Sequence, residues 1–215
     1  VYDPILRRLA NSTHHLVIGI EYRLAPENPY PAAEIDAKTV FDGILPLLNK
    51  RKIPHQPILS IGGDSGGGAL AAALAHKVQE IPSSPLSALF LIYPSLDYTM
   101  SFSSYRNPIN GQGYLLETDK VKWYFDHYFS RGEDRHLASP FFAKISPHFP
   151  KTLLITAEFC PLRDEGLAYV EKLDKAGIEV YHHHFTQMIH AFMNMETLCQ
   201  KETDALYKKI DRFLN

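Results

Sequence analysis

An α/β fold with a mostly parallel sheet covered on both faces is the architecture this sequence predicts, and three observations predict it. Short apolar runs of buried-strand type alternate with stretches of helical spacing along most of the chain. The strand candidates are nearly continuous in apolar residues, as parallel strands buried on both faces are. The strand-like residues 57–62 pass through Gly63-Asp64-Ser65-Gly66-Gly67 directly into an alanine-rich helical stretch. With 215 residues, 45% of them hydrophobic, the chain reads as one domain, residues 1–215, with an ample core.

Residues 3–10 read as a short helix, with Pro4 suited to a first helical position. Residues 16–22 read as a buried strand, and the proline-punctuated residues 23–31 as a loop that can be neither regular helix nor central strand. Ile35, Val40, Ile44, Leu47 and Leu48 then recur at helical spacing. After the strand at 57–62 and its helix, which runs to near Ile81, residues 88–93 form another apolar strand. Residues 97–139 break the rhythm. A polar, glycine-containing loop at 101–113 precedes a helix-like stretch with Trp123, Tyr124, Phe125, Tyr128 and Phe129. This segment reads as an inserted cap whose aromatic side chains either reach a ligand or anchor the insertion to the sheet edge. A strand at 152–159, a helix at 164–177 closed by its glycine, a strand at 178–185 and a mostly helical 190–214 complete the order. Met195, Leu198, Leu206, Ile210 and Phe213 fall on one stripe of that last helix.

Composition excludes several function classes. The net charge is -2 and basic residues are dispersed, so no nucleic-acid partner is expected. No stretch is apolar long enough to span a bilayer and no secretory signal opens the chain, so no stable membrane insertion is expected. Two cysteines, Cys160 and Cys199, make no disulfide framework, which points to a reducing cytoplasm. The chain begins at Val1 and not at Met, as a trimmed or partial product would.

The chemistry gathers at Ser65. In G-x-S-x-G between a strand and a helix, the serine sits on a turn so tight that small residues must flank it. Gly63 and Gly67 are expected to let the strand and helix backbones approach, and the helix N-terminus offers N–H groups to a developing negative charge. A serine nucleophile needs a base and a third group that orients the base, and in folds of this kind an acid and then a histidine follow in sequence. His190 is the candidate base: it follows the last strand and a loop at 186–189 and opens the final helix, at the sheet edge where elbow serines also project. The acid should lie within residues 158–166. His182 and His184 share one strand face, with His183 on the other, but two imidazoles lack the further ligands zinc expects; His14-His15 is weaker still. No metal or other cofactor is implied.

These residues resemble the hormone-sensitive-lipase group of α/β-hydrolases, serine carboxylesterases acting on carboxylic esters. Tyr22-Arg23-Leu24-Ala25-Pro26-Glu27, Gly62-Gly63-Asp64-Ser65-Gly66-Gly67-Gly68, Ser139-Pro140, Cys160-Pro161-Leu162-Arg163-Asp164-Glu165-Gly166 and Met188-Ile189-His190-Ala191-Phe192 follow in the family's order over essentially the whole chain. The resemblance implies an α/β-hydrolase fold, Ser65 as nucleophile, His190 as general base and the N–H of Gly66 as one oxyanion-hole donor. It also exposes two departures. Cys160 stands where the family carries its triad aspartate, and replacing the carboxylate of a serine-protease triad costs about 10⁴ in turnover. Glu158, Asp164 and Glu165 lie close enough in sequence to be considered as substitutes, although Asp164 also reads as a helix cap. The family's HGGG oxyanion loop precedes the helix that opens this chain and nothing here matches it, so the resemblance implies an N-terminally incomplete domain or a fragment. A sheet edge left uncovered in this way would favour homo-oligomers. Smaller departures are Gln187, where the family usually has glycine, and Ala191.

The reading that results is an esterase or lipase-like hydrolase of small-molecule esters, impaired by Cys160. Its alternative is a catalytically degraded relative that binds a small molecule, as in the lineage resembling plant gibberellin receptors. A third reading makes Cys160, paired with His190, a redox-sensitive or nucleophilic thiol.

Overall fold

The computed structural model describes residues 2–215. Its strands are β1 (Leu59–Asp64), β2 (Leu86–Ile92), β3 (Lys151–Phe159) and β4 (Val180–Ile189), all parallel and ordered β1-β2-β3-β4 in one sheet. The helices are α1 (Asp3–Thr13), α2 (Ala32–Lys50), α3 (Gly66–Val78), α4 (Pro108–Gly111), α5 (Thr118–Tyr128), α6 (Arg135–Ala138), α7 (Arg163–Lys175) and α8 (Gln200–Leu214). No helix among the described residues is long and apolar enough to cross a membrane.

The apolar runs of the central strands divide by parity into two cores, because successive strand side chains point to opposite faces. Phe90 and Ile92 of β2 and Leu153 and Ile155 of β3 face one cluster, closed by Leu9 of α1 and by Leu206, Tyr207, Ile210 and Phe213 of α8. Leu89 and Leu91 of β2 and Leu154 of β3 face the other, closed by alanines of α3 and by Tyr169 and Leu173 of α7. Covering both faces is what made these strands uniformly apolar. Of the five residues assigned to one stripe of the last helix, Leu206, Ile210 and Phe213 are buried, whereas Met195 and the exposed Leu198 precede the helix.

Several expectations are corrected. Residues 16–22 form neither helix nor strand, and Leu16, Ile18 and Ile20 are exposed: no strand among the described residues pairs with them to complete a ladder. The buried stripe of α2 is Ala33, Ala37, Phe41 and Leu48, while Ile35 and Leu47 face outward; where the helix meets α3, Ala37 and Phe41 pack on Leu74 and Val78. Residues 101–113 are not all loop, since a 3₁₀ turn at Ser103–Tyr105 and α4 lie there. In the aromatic segment, Phe125 and Phe129 are buried against Tyr98, and Tyr128 and Phe129 meet Tyr30. Trp123 and Tyr124 are exposed. Anchoring therefore accounts for the inward-facing half of that cluster.

The strand-to-helix turn is the tightest point of the chain. A Cβ on Gly63 would overlap the backbone carbonyl of Gly67, and one on Gly68 would sit 2.9 Å from Pro94 Cβ. A Cβ on Gly67 itself would meet nothing within 4 Å, so the close approach depends on Gly63 and Gly68 and not, as expected, on both Gly63 and Gly67. Gly63→Ala is accordingly expected to destabilise the fold by about 1–3 kcal/mol or more through overpacking. Gly67→Ala should be neutral or gain up to about 1 kcal/mol from helix propensity. Urea unfolding of the two variants beside the parent checks both.

Candidate active site

Ser65 follows β1 directly, with φ 54° and ψ -121°, a conformation that costs a non-glycine residue about 1–3 kcal/mol. It is held there on both sides. Its N–H donates to the Ile92 carbonyl at 2.9 Å, and its own carbonyl accepts from the N–H groups of Ala69 at 3.1 Å and Ser95 at 3.3 Å. The N–H of Gly66, first in α3, has no carbonyl a turn earlier in the helix to bond.

His190 follows the last residue of β4, and Cys160 the last residue of β3. The elements thus deliver all three groups to the carboxyl edge of one parallel sheet, where ligands bind in open α/β folds. The Ser65 hydroxyl lies 2.9 Å from His190 Nε2, and Cys160 Sγ lies 3.2 Å from His190 Nδ1. Ser65 is half-buried, whereas His190 and Cys160 are buried. His190 does not open the final helix as expected: β4 runs four residues further than its apolar pattern, to Ile189, and α8 begins only at Gln200. Left-handed backbone at Gln187 (φ 63°) and Ala191 (φ 63°) brackets the histidine, which explains physically why glycine suits position 187.

The carboxylates considered as substitutes are engaged elsewhere. Glu158 accepts the Gln187 N–H at 2.6 Å. Asp164 pairs with Arg163 at 2.8 Å inside the first turn of α7, whose N-cap is Leu162, so it is not the cap either. Glu165 is fully buried and accepts from the Leu96 N–H at 2.7 Å and the Tyr105 hydroxyl at 2.8 Å. Burial holds its carboxyl well above the usual carboxylate range. The partner of His190 Nδ1 is the Cys160 thiol. The two other histidines singled out by sequence do share a face: His182 Nε2 and His184 Nδ1 each lie 2.9 Å from the Thr156 hydroxyl, between them.

Burial dominates the electrostatics. It pushes His190 down to about 3 and the Cys160 thiol well above its ordinary range, so both groups are neutral at pH 7. Asp64, beside the serine, is raised by burial and accepts from the Tyr2 hydroxyl at 3.2 Å. A neutral thiol is a weak donor and a weak acceptor, and it therefore does not select the imidazole tautomer as a carboxylate would. When Sγ–H donates to Nδ1, the imidazole proton sits on Nε2, where it cannot take the Ser65 proton. Only the opposite tautomer, with Nδ1–H pointing at sulfur, leaves Nε2 free as a base.

The same burial sets thiol reactivity, because the thiolate is the reactive form. With iodoacetamide at neutral pH, the native protein is expected to alkylate at the partly exposed Cys199 at least about tenfold faster than at Cys160. Peptide mass spectrometry over a time course reads the order, and the reverse order would make Cys160 a reactive thiol.

Residues 1–194 match the family described as alpha/beta hydrolase fold. An ethyl acetate hydrolase of Pseudomonas putida is 29% identical, over 98% of this chain and 66% of its own. A gibberellin receptor of Arabidopsis thaliana is 32% identical, over 84% of this chain and 53% of its own. The chain thus spans between half and two thirds of the length of these relatives. The solved structure of a hyperthermophilic esterase from the archaeon Pyrobaculum calidifontis is similar at a TM-score of 0.90 and 34% identity, covering 98% of this chain and 67% of that one. This chain belongs to the α/β-hydrolase family, in the hormone-sensitive-lipase-like group whose sequence blocks it carries.

Proposed function

We propose that this chain carries the nucleophile and base of a carboxylic-ester hydrolase working through an acyl-enzyme, with its acid position disabled. The observation that carries the reading is the continuous contact Ser65 Oγ–His190 Nε2, His190 Nδ1–Cys160 Sγ at 2.9 and 3.2 Å on one sheet edge. Names of the relatives, an ethyl acetate hydrolase and an archaeal esterase, support the substrate class: small carboxylic esters.

Ser65 Oγ attacks the ester carbonyl while Nε2 takes its proton, and the Gly66 N–H stabilises the oxyanion. The tetrahedral intermediate then collapses, the alcohol leaves with the proton from Nε2, and water, activated by the same nitrogen, releases the acid. The imidazolium formed midway has no carboxylate at Nδ1, which is where the rate is lost. Residues 97–139 serve in this reading as a cap, with the exposed Trp123 and Tyr124 as its unanchored aromatic side chains. Free thiols at Cys160 and Cys199 suit a reducing compartment such as the cytoplasm, and the edge of β1, unpaired among the described residues, supports self-association.

A second reading rests on Cys160 and on the likeness to a gibberellin receptor: a relative that has exchanged turnover for binding a small molecule. Hydrolysis of p-nitrophenyl butyrate separates the two. The parent is expected to be slow, Ser65→Ala inactive, and Cys160→Asp faster than the parent by about 10²–10⁴. The pH profile gives the sign of the same effect. In the parent, His190 is neutral above about 3, so kcat/KM should not fall between pH 8 and pH 5. Aspartate at 160 favours the imidazolium, raises the histidine, and should move the acid limb up toward neutrality. A parent rate equal to that of Ser65→Ala, with no gain in Cys160→Asp, would favour the binding reading.

A further inference from the structure

A second group touches His190. Tyr93 lies one residue past β2, is 1% exposed, and its ring centroid sits 4.7 Å from the imidazole at an interplanar angle of 58°. Phe192 packs edge-on against Tyr93 at 5.7 Å. The backbone at Tyr93 has φ 37°, an outlier for a bulky residue, and its N–H donates to the Ile155 carbonyl at 2.8 Å. Such conformations persist only where the surroundings over-determine them, and they cluster at functional sites. Here the strained backbone turns a large aromatic ring onto the base.

The chemistry of the site gives that ring a use. Cys160 offers no charge to the imidazolium that forms when Ser65 gives up its proton, and His190 is buried. A cation over the face of an aromatic ring, within about 6 Å of its centroid, is attracted by the ring quadrupole, and the attraction grows when both are desolvated. We propose that Tyr93 is a positioning residue for His190: its ring fixes the imidazole plane and stabilises the transient imidazolium that the thiol at position 160 cannot. The inference rests on the serine-hydrolase reading of the site.

The titratable groups around the base are few. Cys160 reaches His190 from the β3–α7 turn, Tyr93 from the end of β2, and Asp64, at the end of β1, acts on Tyr93. Burial, and after it the Asp64 carboxylate, keeps the Tyr93 phenol protonated, so the side chain meets the base as a neutral ring and not as an anion. No charged side chain among the described residues is hydrogen-bonded to His190.

Two ring-free variants, Tyr93→Leu and Tyr93→Met, and the ring-retaining Tyr93→Phe test this, each checked for a native fold by near-UV circular dichroism. Ring loss should lower kcat on p-nitrophenyl butyrate about tenfold with KM changed less than about twofold, and Tyr93→Phe should recover the rate to within about threefold. A second readout needs no turnover. In Cys160→Asp, where the histidine is raised, the His190 imidazole titration followed by NMR should fall by about one pH unit on ring loss and hold in Tyr93→Phe. Resonances are assigned by their absence in His190→Gln. If both ring-free variants keep kcat and the His190 titration, or if Tyr93→Phe loses as much as they do, the proposal is wrong. A Ser65-independent parent rate would instead overturn the hydrolase reading, and the titration would still decide whether the ring supports the imidazolium.

Discussion

The contact between the Gly63 and Gly67 backbones is the constraint on which the rest of this site depends. A parallel strand must hand over to a helix within one residue, and only a chain with no Cβ at Gly63 lets the helix backbone come that close. The residue caught between them, Ser65, is forced to φ 54° and held by hydrogen bonds to Ile92, Ala69 and Ser95. That strain projects the hydroxyl off the sheet edge, toward the ends of β3 and β4. The same handover makes Gly66 the first residue of α3, which leaves its N–H free to meet negative charge. Sheet order then does the remaining positioning. Because β2 lies between β1 and β3, and β4 lies outside β3, the groups that follow β1, β3 and β4 converge from three directions on one edge.

What the sheet assembles is a chain of three neutral groups. In a working triad the third group carries a charge that both chooses the tautomer and answers the imidazolium. Here burial keeps Cys160 protonated and His190 uncharged, so the group at His190 Nδ1 brings no charge. None of the nearby acids is hydrogen-bonded to His190, and each has partners elsewhere in the structure. Glu158 holds the strained Gln187 turn, Asp164 pairs with Arg163, and Glu165 bonds Leu96 and Tyr105. Moving any of them to Nδ1 would undo a hydrogen bond that shapes the surrounding loops.

Much of this was legible in the sequence, for identifiable reasons. The central strands β2 and β3 announced themselves because both faces are covered, which demands nearly uninterrupted apolar runs, whereas β1 and β4 at the sheet edges are only partly buried. Ser65 was legible because glycines at fixed offsets are needed for its turn, and Cys160 because the block around it is otherwise intact. Residues 16–22 misled: an apolar run specifies an extended segment but not a partner, and no neighbouring strand is present among the described residues. Ile35 and Leu47 misled because periodicity counted large apolar side chains, whereas the α2–α3 contact is built on Ala37 and Phe41. The end of β4 was set too early because Thr186-Gln187 reads as loop, although the strand continues through a left-handed residue. Tyr93 carried no sequence signal of its own. It looked like the last residue of a buried strand, and only its φ and its ring contact with His190 distinguish it.

The central claim is that Ser65 is a nucleophile served by His190. The most direct measurement is reaction of the chain with a fluorophosphonate probe, followed by peptide mass spectrometry to locate the adduct. A slow, stoichiometric adduct is expected on Ser65, disappearing in Ser65→Ala and forming much more slowly in His190→Ala. No adduct after prolonged exposure, or one carried by another residue at an equal rate in Ser65→Ala, would contradict it.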